Sequence, residues 1–213
     1  MAQGVFITFE GIDGCGKSTH VRRLVALLEE RGLEVVALRE PGGTDISEKI
    51  RDLLLDPSNT EMCDECELLL YEASRAQLVR QTILPALERG AVVVCDRFYD
   101  STFAYQARAR GLDAEVVSRA NALGSCGLVP TRTVVFDLDP DAAKERSSHY
   151  GEDRLELEGV AFQRRVYEAY HELATAEPDR VRLLDCSGTH DQTFSRLLAL
   201  LGDLLPLDGV DGA

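Results

Sequence analysis

The sequence predicts an α/β fold in which a five-stranded parallel sheet is covered by helices on both faces. Two observations predict it: five short apolar runs alternate with stretches of helical periodicity, and a glycine-rich segment separates the first run from the first helical stretch. The five runs are residues 5–10, 34–39, 91–96, 131–137 and 181–185. No internal repeat or interdomain linker is present, so we expect one domain over residues 1–213, with a frayed acidic tail at about 206–213.

Charge and cysteine content restrict the function classes. The chain has 37 acidic and 23 basic residues and a net charge of −14, which disfavours binding to a nucleic-acid backbone or an anionic membrane. Its six cysteines are scattered, and neither Cys15 nor Cys95 is placed for a structural disulfide, which indicates a reducing compartment. No apolar run reaches membrane-spanning length and the first residues lack a signal pattern. We therefore expect a cytoplasmic protein with small-molecule partners.

The glycine-rich segment, residues 11–18, has the composition and the context of a phosphate-binding P-loop. Its glycines let backbone N–H groups converge on phosphate oxygens, Lys17 can reach the β- and γ-phosphates, and the Ser18 hydroxyl can coordinate Mg²⁺. The alternative is a glycine turn with a purely structural role, which the flanking strand and helix make the weaker interpretation. We predict that ATP and Mg²⁺ bind at Gly11, Ile12, Asp13, Gly14, Cys15, Gly16, Lys17, Ser18 and Thr19.

Further functional residues are expected just after the strands, because parallel sheets bind ligands at the carboxyl ends of their strands. The third run ends at Asp96, whose carboxylate can hold Mg²⁺ through water, and Arg97 offers a planar guanidinium to a second phosphate. In the alternative interpretation these two side chains only pair with each other, but neighbours on a strand point to opposite faces.

Four segments in order resemble the thymidylate kinase family. Residues 96–106 look like its signature segment and residues 39–44 like its second loop, while residues 50–55 and 71–75 are similar to segments that line its nucleoside monophosphate site. The resemblance covers about residues 5–184. It implies a P-loop kinase that transfers the γ-phosphoryl group of ATP to dTMP, giving dTDP and ADP.

The resemblance implies five side chains at the nucleoside. Tyr71 stacks on the thymine ring and Arg75 donates to a thymine carbonyl, and their spacing of four residues puts both on one face of a helix. The family counterparts of Thr102 and Gln106 contact the base edge. Tyr105 lies at the sugar, where its bulk disfavours a ribose 2′-hydroxyl. Without the family, a partly buried tyrosine and a solvated arginine are the simpler interpretation of Tyr71 and Arg75.

The resemblance also assigns charged side chains to the phosphate of dTMP. Asp13 is placed near the sugar and phosphate of the acceptor, and Glu40 near the metal and the acceptor phosphate; from the residues alone, either acid is more simply a solvated one. The remaining substrate-binding residues are Arg51, Arg97, the weaker candidate Arg39, and Pro41 in the loop of Glu40.

Phosphoryl transfer requires alignment and charge neutralisation, and it needs no covalent nucleophile. We expect Lys17, Mg²⁺ and a mobile arginine to supply most of the stabilisation, and Asp96 to position metal and phosphate. Some thymidylate kinases carry that arginine in the P-loop, where this chain has Asp13 and Gly14. The arginine should therefore come from a short mobile lid.

The lid is expected at about residues 144–156, where two candidate arginines stand, Arg146 and Arg154. Arg154 is preferred, because residues 153–156 match the closing motif of lids in the family. Positions 148 and 150, where related lids often carry arginine, hold serine and tyrosine here.

Two other function classes compete. A deoxynucleoside kinase or another P-loop nucleotide kinase shares the P-loop and an Asp-Arg segment but lacks the loop at 39–44 in this form. A noncatalytic nucleotide switch should carry an Asn-Lys-x-Asp segment, and the sequence has none. The resemblance further implies a homodimer, for which residues 114–123 or 67–87 could supply the face, although a helix stripe that covers the sheet would look the same.

Overall fold

The computed structural model describes residues 4–147, 155 and 158–207. The strands are β1 (Val5–Glu10), β2 (Val35–Arg39), β3 (Val92–Asp96), β4 (Arg132–Asp137) and β5 (Val181–Asp185). All neighbours pair in parallel, in the order β2-β3-β1-β4-β5. The predicted five-stranded parallel sheet is confirmed, and each strand begins within one residue of its predicted start.

Helices connect the strands. They are α1 (Lys17–Glu30), α2 (Asp45–Leu55), α3 (Asp64–Leu78), α4 (Leu84–Glu88), α5 (Tyr99–Thr102), α6 (Ala114–Gly124), α7 (Pro140–Ser147), α8 (Val160–Ala176) and α9 (His190–Leu201). π-helical turns at Val79–Ile83 and Phe103–Ala109 continue α3 and α5. The first ends two residues before Pro85, which has no N–H to close a helical bond. Among the described helices, none is both long enough and apolar enough to cross a bilayer.

Alternation along β1 divides the core into two layers. Ile7 and Phe9 point to one face, where they share a buried cluster with Leu24 of α1. Phe6 points to the other face and belongs to a second cluster, in which the ring of Phe98 meets it edge-on at 5.0 Å. Burial on both faces explains why the strands are continuous apolar runs in the sequence.

A buried polar chain fastens the start of α5 to the sheet. The hydroxyls of Thr8 and Thr133 lie 2.8 Å apart across β1 and β4, and Thr133 donates to Asp100 Oδ2 at 2.8 Å. Arg180 donates to the same carboxylate through Nη1 at 2.6 Å and Nη2 at 2.9 Å. The charge of Asp100 is thus buried but paired, as a stable buried carboxylate requires.

The predicted lid and tail lie only partly within the described residues. Arg146 belongs to α7, whereas Arg154 falls outside the described residues. Pro206 accepts a hydrogen bond from Arg31, and the side chain of Leu207 is buried in the core.

Candidate active site

The P-loop adopts a backbone conformation that glycine makes possible. Gly11 has a φ of 131°, and a Cβ at this position would lie 2.8 Å from the carbonyl oxygen of Phe136, so a side chain does not fit. The helix α1 begins at Lys17, and the first N–H groups of a helix have no intrahelical partner. Loop and helix therefore direct N–H donors and a positive dipole end towards one space, which suits a phosphate.

Lys17 is folded back onto its own loop. Its Nζ donates to the carbonyl oxygens of Gly11 at 2.9 Å and Ile12 at 3.0 Å, and it lies 3.6 Å from Cys15 Sγ. The side chain lines the cavity described below. Contact with a phosphate would exchange these carbonyl oxygens for phosphate oxygens.

Ser18 and Asp96 form a candidate magnesium site. Pairing of β1 with β3 places Phe9 opposite Asp96 and brings the end of β3 beside the P-loop. Ser18 Oγ donates to Asp96 Oδ2 at 3.1 Å, whereas Asp96 Oδ1 is buried and accepts no hydrogen bond from the described residues. A hydroxyl beside an unpartnered carboxylate oxygen fits Mg²⁺, which takes many of its ligands from water and phosphate. Because the described residues contain no cluster of three or more His, Cys, Asp or Glu ligands, the nucleotide would have to complete the site.

Arg97 turns away from Asp96 and pairs with the P-loop. Its φ of 69° is left-handed, and its Nη2 donates to Asp13 Oδ1 at 2.6 Å while Nη1 donates to Ser101 Oγ at 3.3 Å. The ion-pair partner of Arg97 is therefore Asp13, not Asp96. Burial opposes the ionisation of Asp13, but the charges of Arg97 and Lys17 hold its pKa below the ordinary value of 3.8.

Two further arginines converge on one carbonyl. Arg39 Nη1 and Arg51 Nη1 donate to the carbonyl oxygen of Pro41 at 2.7 Å and 2.9 Å. Arg39 also pairs with Glu48 at 2.8 Å, on the outer side of the loop. Arg39, Arg51 and Arg97 all line the same cavity, so the predicted phosphate-binding cations face one space.

Arg75 is a buried donor held between two carboxylates. Its side chain is 1% exposed, its Nε donates to Glu40 Oε2 at 2.8 Å, and its Nη1 donates to Glu72. Its Nη2 donates to Thr102 Oγ1 at 2.9 Å. Burial disfavours the guanidinium charge, but Glu40 and Glu72 raise the pKa of Arg75 above its ordinary value. The structure thus places Glu40 directly behind the arginine predicted to read the base.

One cavity of about 730 Å³ collects the predicted residues. Those that line it are Asp13, Gly14, Gly16, Lys17, Ser18, Thr19, Arg39, Glu40, Pro41, Arg51, Tyr71, Arg75, Asp96, Arg97, Thr102, Tyr105, Gln106 and Arg146. Gly11, Ile12 and Cys15 of the same loop do not line this cavity, and the carbonyl oxygens of Gly11 and Ile12 accept from Lys17. Tyr105 is buried, its hydroxyl has no hydrogen-bond partner among the described residues, and burial raises its pKa. The volume lies in the range of ligand pockets.

A family model described as thymidylate kinase matches residues 9–196. This chain belongs to the thymidylate kinase family. A thymidylate kinase of Symbiobacterium thermophilum is 45% identical over 202 residues, covering 95% of this chain and 94% of the relative. One of Desulfosudis oleivorans is 47% identical over 205 residues, covering 92% and 96%. A crystal structure of thymidylate kinase from Ehrlichia chaffeensis matches with a TM-score of 0.76 at 31% identity, covering 94% of this chain and 99% of that chain. The resemblance and the P-loop kinase fold are confirmed.

The thymidylate kinase fold of this chain contains a second cavity that the sequence analysis missed. Its volume is about 400 Å³, and it lies beside the P-loop after β5, lined by Cys15, His20, Arg146, Cys186, Gly188, Thr189, His190 and Thr193. Arg146 lines both cavities. The signal was present, since the rule that ligands bind after parallel strands applies to β5 as it does to β1, β2 and β3.

Glu10 is a second missed residue. It is buried at the end of β1, its Oε1 accepts from the backbone N–H of Phe98 at 2.7 Å, and its Oε2 accepts from Ser101 Oγ at 2.5 Å and the Tyr170 hydroxyl at 2.8 Å. It thereby fixes Phe98 and Ser101, which follow the left-handed residue Arg97. Burial, followed by the charge of Asp100, raises the pKa of Glu10 to about 7. No sequence motif marks such a role.

We expect Glu10→Gln to change the pH dependence of stability. The pKa of Glu10 is about 7 in the folded protein and 4.5 ordinarily, so between these pH values the folded state binds more protons than the unfolded state. The free energy of unfolding therefore falls as the pH rises from 4.5 to 7. Without this group the fall is shallower by up to about 1.4 kcal/mol per pH unit. Urea denaturation at a series of pH values measures the slope. Glu34→Gln, at an exposed acid paired with Arg89, should keep the wild-type slope. An unchanged slope in Glu10→Gln would contradict the expectation.

Proposed function

We propose that this chain transfers the γ-phosphoryl group of ATP to the phosphate of dTMP, giving dTDP and ADP. The observation that carries the proposal is that one cavity is lined by the P-loop, by the buried donor Arg75 and by three further arginines, Arg39, Arg51 and Arg97. Such a cavity suits an acceptor substrate that has both a base and a phosphate. It suits a nucleoside without phosphate less well, because such a ligand brings no anion to the three guanidinium groups.

The acceptor is proposed to lie with its base at Arg75 and Tyr71. Arg75 is already held by buried carboxylates, so it meets a thymine carbonyl without first being ordered. Tyr71 is proposed to offer an aromatic face to the base, and Tyr105 is proposed to crowd a ribose 2′-hydroxyl. The phosphate is assigned to Arg51 and Arg97, with Arg39 beside them.

The donor is proposed to bind across the P-loop. Lys17 would exchange the carbonyl oxygens of Gly11 and Ile12 for the β- and γ-phosphates. Ser18 and Asp96 would hold Mg²⁺, which neutralises phosphate charge when it is bound. The second cavity, which is lined in part by Cys15 of the P-loop, is proposed to bind the base of the donor nucleotide. An acceptor phosphate oxygen is already anionic, so the chain's task is alignment and charge stabilisation, and no general base is required.

A cytoplasmic location belongs to the same proposal. All six cysteines lie within the described residues and carry free thiols, as expected in a reducing compartment. The net charge of −14 favours small nucleotides over nucleic acid as partners.

A panel of acceptors tests the reaction. ADP release from ATP and Mg²⁺ should be fastest with dTMP, slower with dUMP by about tenfold or more because the methyl group is missing, and absent with thymidine. dCMP, dGMP and the ribonucleotide of thymine complete the panel. Phosphorylation of thymidine without phosphorylation of dTMP would overturn the proposal and remove Arg51 and Arg97 from the acceptor site.

The catalytic lid cation is proposed to be Arg154, with Arg146 as the alternative. We expect Arg154→Ala to lower kcat about a thousandfold, because charge on the transferred group would lose its mobile cation. Arg146→Ala should mainly raise the KM for ATP, since Arg146 lines the cavity proposed for the donor's base. Arg164→Ala, at an exposed arginine paired with Asp141, is the control and should keep wild-type kinetics. Normal turnover by Arg154→Ala with loss in Arg146→Ala would reverse the assignment.

We further propose a homodimer through the outer face of α2, α3 and α6. The large apolar side chains exposed on these helices are Ile46, Leu53, Leu69, Val116 and Leu123. Because α3 packs against both α2 and α6, these side chains belong to one side of the molecule. A second copy that covers this side would remove them from water.

The dimer is tested at Leu69, which is 64% exposed. Leu69→Glu should convert a dimer to a monomer in analytical ultracentrifugation, because a carboxylate would be desolvated at the interface. Val129→Glu places the same charge at an exposed apolar residue outside these helices and should remain dimeric. A monomeric wild-type protein, or a dimeric Leu69→Glu variant, would contradict the proposed face.

A further inference from the structure

Gln106 reaches the cavity from the π-helical turn that follows α5. Its side chain is buried, and it lines the same wall as Arg75 and Thr102. On its inner side, Nε2 donates to Glu67 Oε1 at 2.7 Å. The amide is therefore anchored through its nitrogen.

Glu67 can only accept in this arrangement. Its side chain is 1% exposed and lies against Arg110, whose Nε donates to Oε1 at 3.3 Å and whose Nη2 donates to Oε2 at 3.2 Å. A carboxylate that receives two guanidinium N–H groups is held ionised and has no proton to donate. Arg110 is itself fixed by Glu158 and by Asp64 at 3.5 Å.

The ionised carboxylate determines which way the Gln106 amide is turned. If the amide were reversed, its oxygen would meet a carboxylate oxygen at hydrogen-bond distance, and a hydrogen bond would be replaced by a contact between two acceptors. With the nitrogen bound to Glu67, the amide oxygen is the acceptor that Gln106 can offer to the cavity. Arg75, on the same wall, offers only N–H donors.

We propose that Glu67 is a positioning residue for base recognition: by fixing the Gln106 amide, it makes the cavity present an acceptor from Gln106 beside a donor from Arg75. This inference rests on the proposed dTMP kinase function. A donor and an acceptor side by side match the 4-carbonyl and the N3–H of thymine. Cytosine has the opposite pattern, an amino donor at position 4 and an acceptor at N3, so it is rejected at both contacts.

The discriminating variant is Glu67→Gln. Arg110 contacts both oxygens of Glu67, so an amide at this position turns its NH₂ group onto one of the Arg110 donors whichever way it is oriented. It therefore no longer holds the Gln106 amide in a single orientation. We expect kcat/KM for dTMP relative to 5-methyl-dCMP to fall at least about tenfold, since a site that pairs a polar edge loses its discrimination when the pairing is lost. 5-Methyl-dCMP is the appropriate competitor because it keeps the methyl group and changes only the hydrogen-bonding edge. The KM for ATP should not change.

A matched control and a double variant separate positioning from general disruption. Glu158→Gln makes the same chemical change on the other side of Arg110 and should keep the wild-type ratio. In a Gln106→Leu background, Glu67→Gln should no longer change the ratio, because its effect passes through Gln106. The inference is overturned if Glu67→Gln retains the wild-type ratio, or if it changes the ratio equally in the Gln106→Leu background.

A measurement on the wild-type protein keeps the inference testable if Glu67→Gln does not fold. In protein labelled with ¹⁵N-glutamine, the Gln106 NH₂ signals are assigned by their loss in Gln106→Leu and should exchange slowly with solvent before and after dTMP is added. Exchange at the rate of an exposed glutamine would overturn the inference. A wild-type protein that does not phosphorylate dTMP would instead refute the proposed function, which is a separate outcome.

Discussion

The parallel pairing of β1 with β3 is the constraint on which the site depends. With Phe9 opposite Asp96, the loop after β1 and the segment after β3 leave the sheet side by side. The contacts that follow are Ser18 with Asp96, Asp13 with Arg97, and Glu10 with the N–H of Phe98. A shift of one residue would turn the side chains of β3 to the opposite faces and remove all three. Burial on both faces holds the register, so the apolar core positions the charged groups.

The part of the main cavity around Arg75 is built from buried charged groups. Arg75 stands between Glu40 and Glu72, and burial raises the pKa of Glu40 to about 7 against the opposing charge of Arg75. Buried ion pairs contribute little net stability, because desolvation offsets most of the attraction. In this site the ion pairs instead hold the Arg75 guanidinium in one orientation, so that it stays available as a donor. The buried pair of Glu67 and Arg110 is a second example, in which the group held in place is the proposed acceptor, the amide oxygen of Gln106.

Strand periodicity and the ends of strands are local features, and they were sufficient to predict the sheet and the P-loop. The side chains farther along the main cavity, such as Tyr71, Arg75 and Gln106, were predicted through the family resemblance. The sequence was insufficient for the partners of those residues. That Glu40 lies behind Arg75, or Glu67 behind Gln106, depends on how α3 packs against the loop after β2 and the turn after α5. Glu10 could not be recognised for the same reason, since its three donors come from the end of β3, α5 and α8. Arg154, chosen by family resemblance, lies outside the described residues.

The resting contacts of the cations have a consequence for turnover. Lys17 occupies the carbonyl oxygens of Gly11 and Ile12, and Arg97 occupies the carboxylate of Asp13. In the proposed reaction, each phosphate that enters would displace one of these internal contacts, so the free energy of binding would be only the difference between the two contacts. The same carbonyl and carboxylate oxygens would bind the cations again when the product leaves. Under the proposed function, these internal contacts would compete with the phosphates for the same cations, which would moderate affinity and shorten the time for which a highly charged product stays bound.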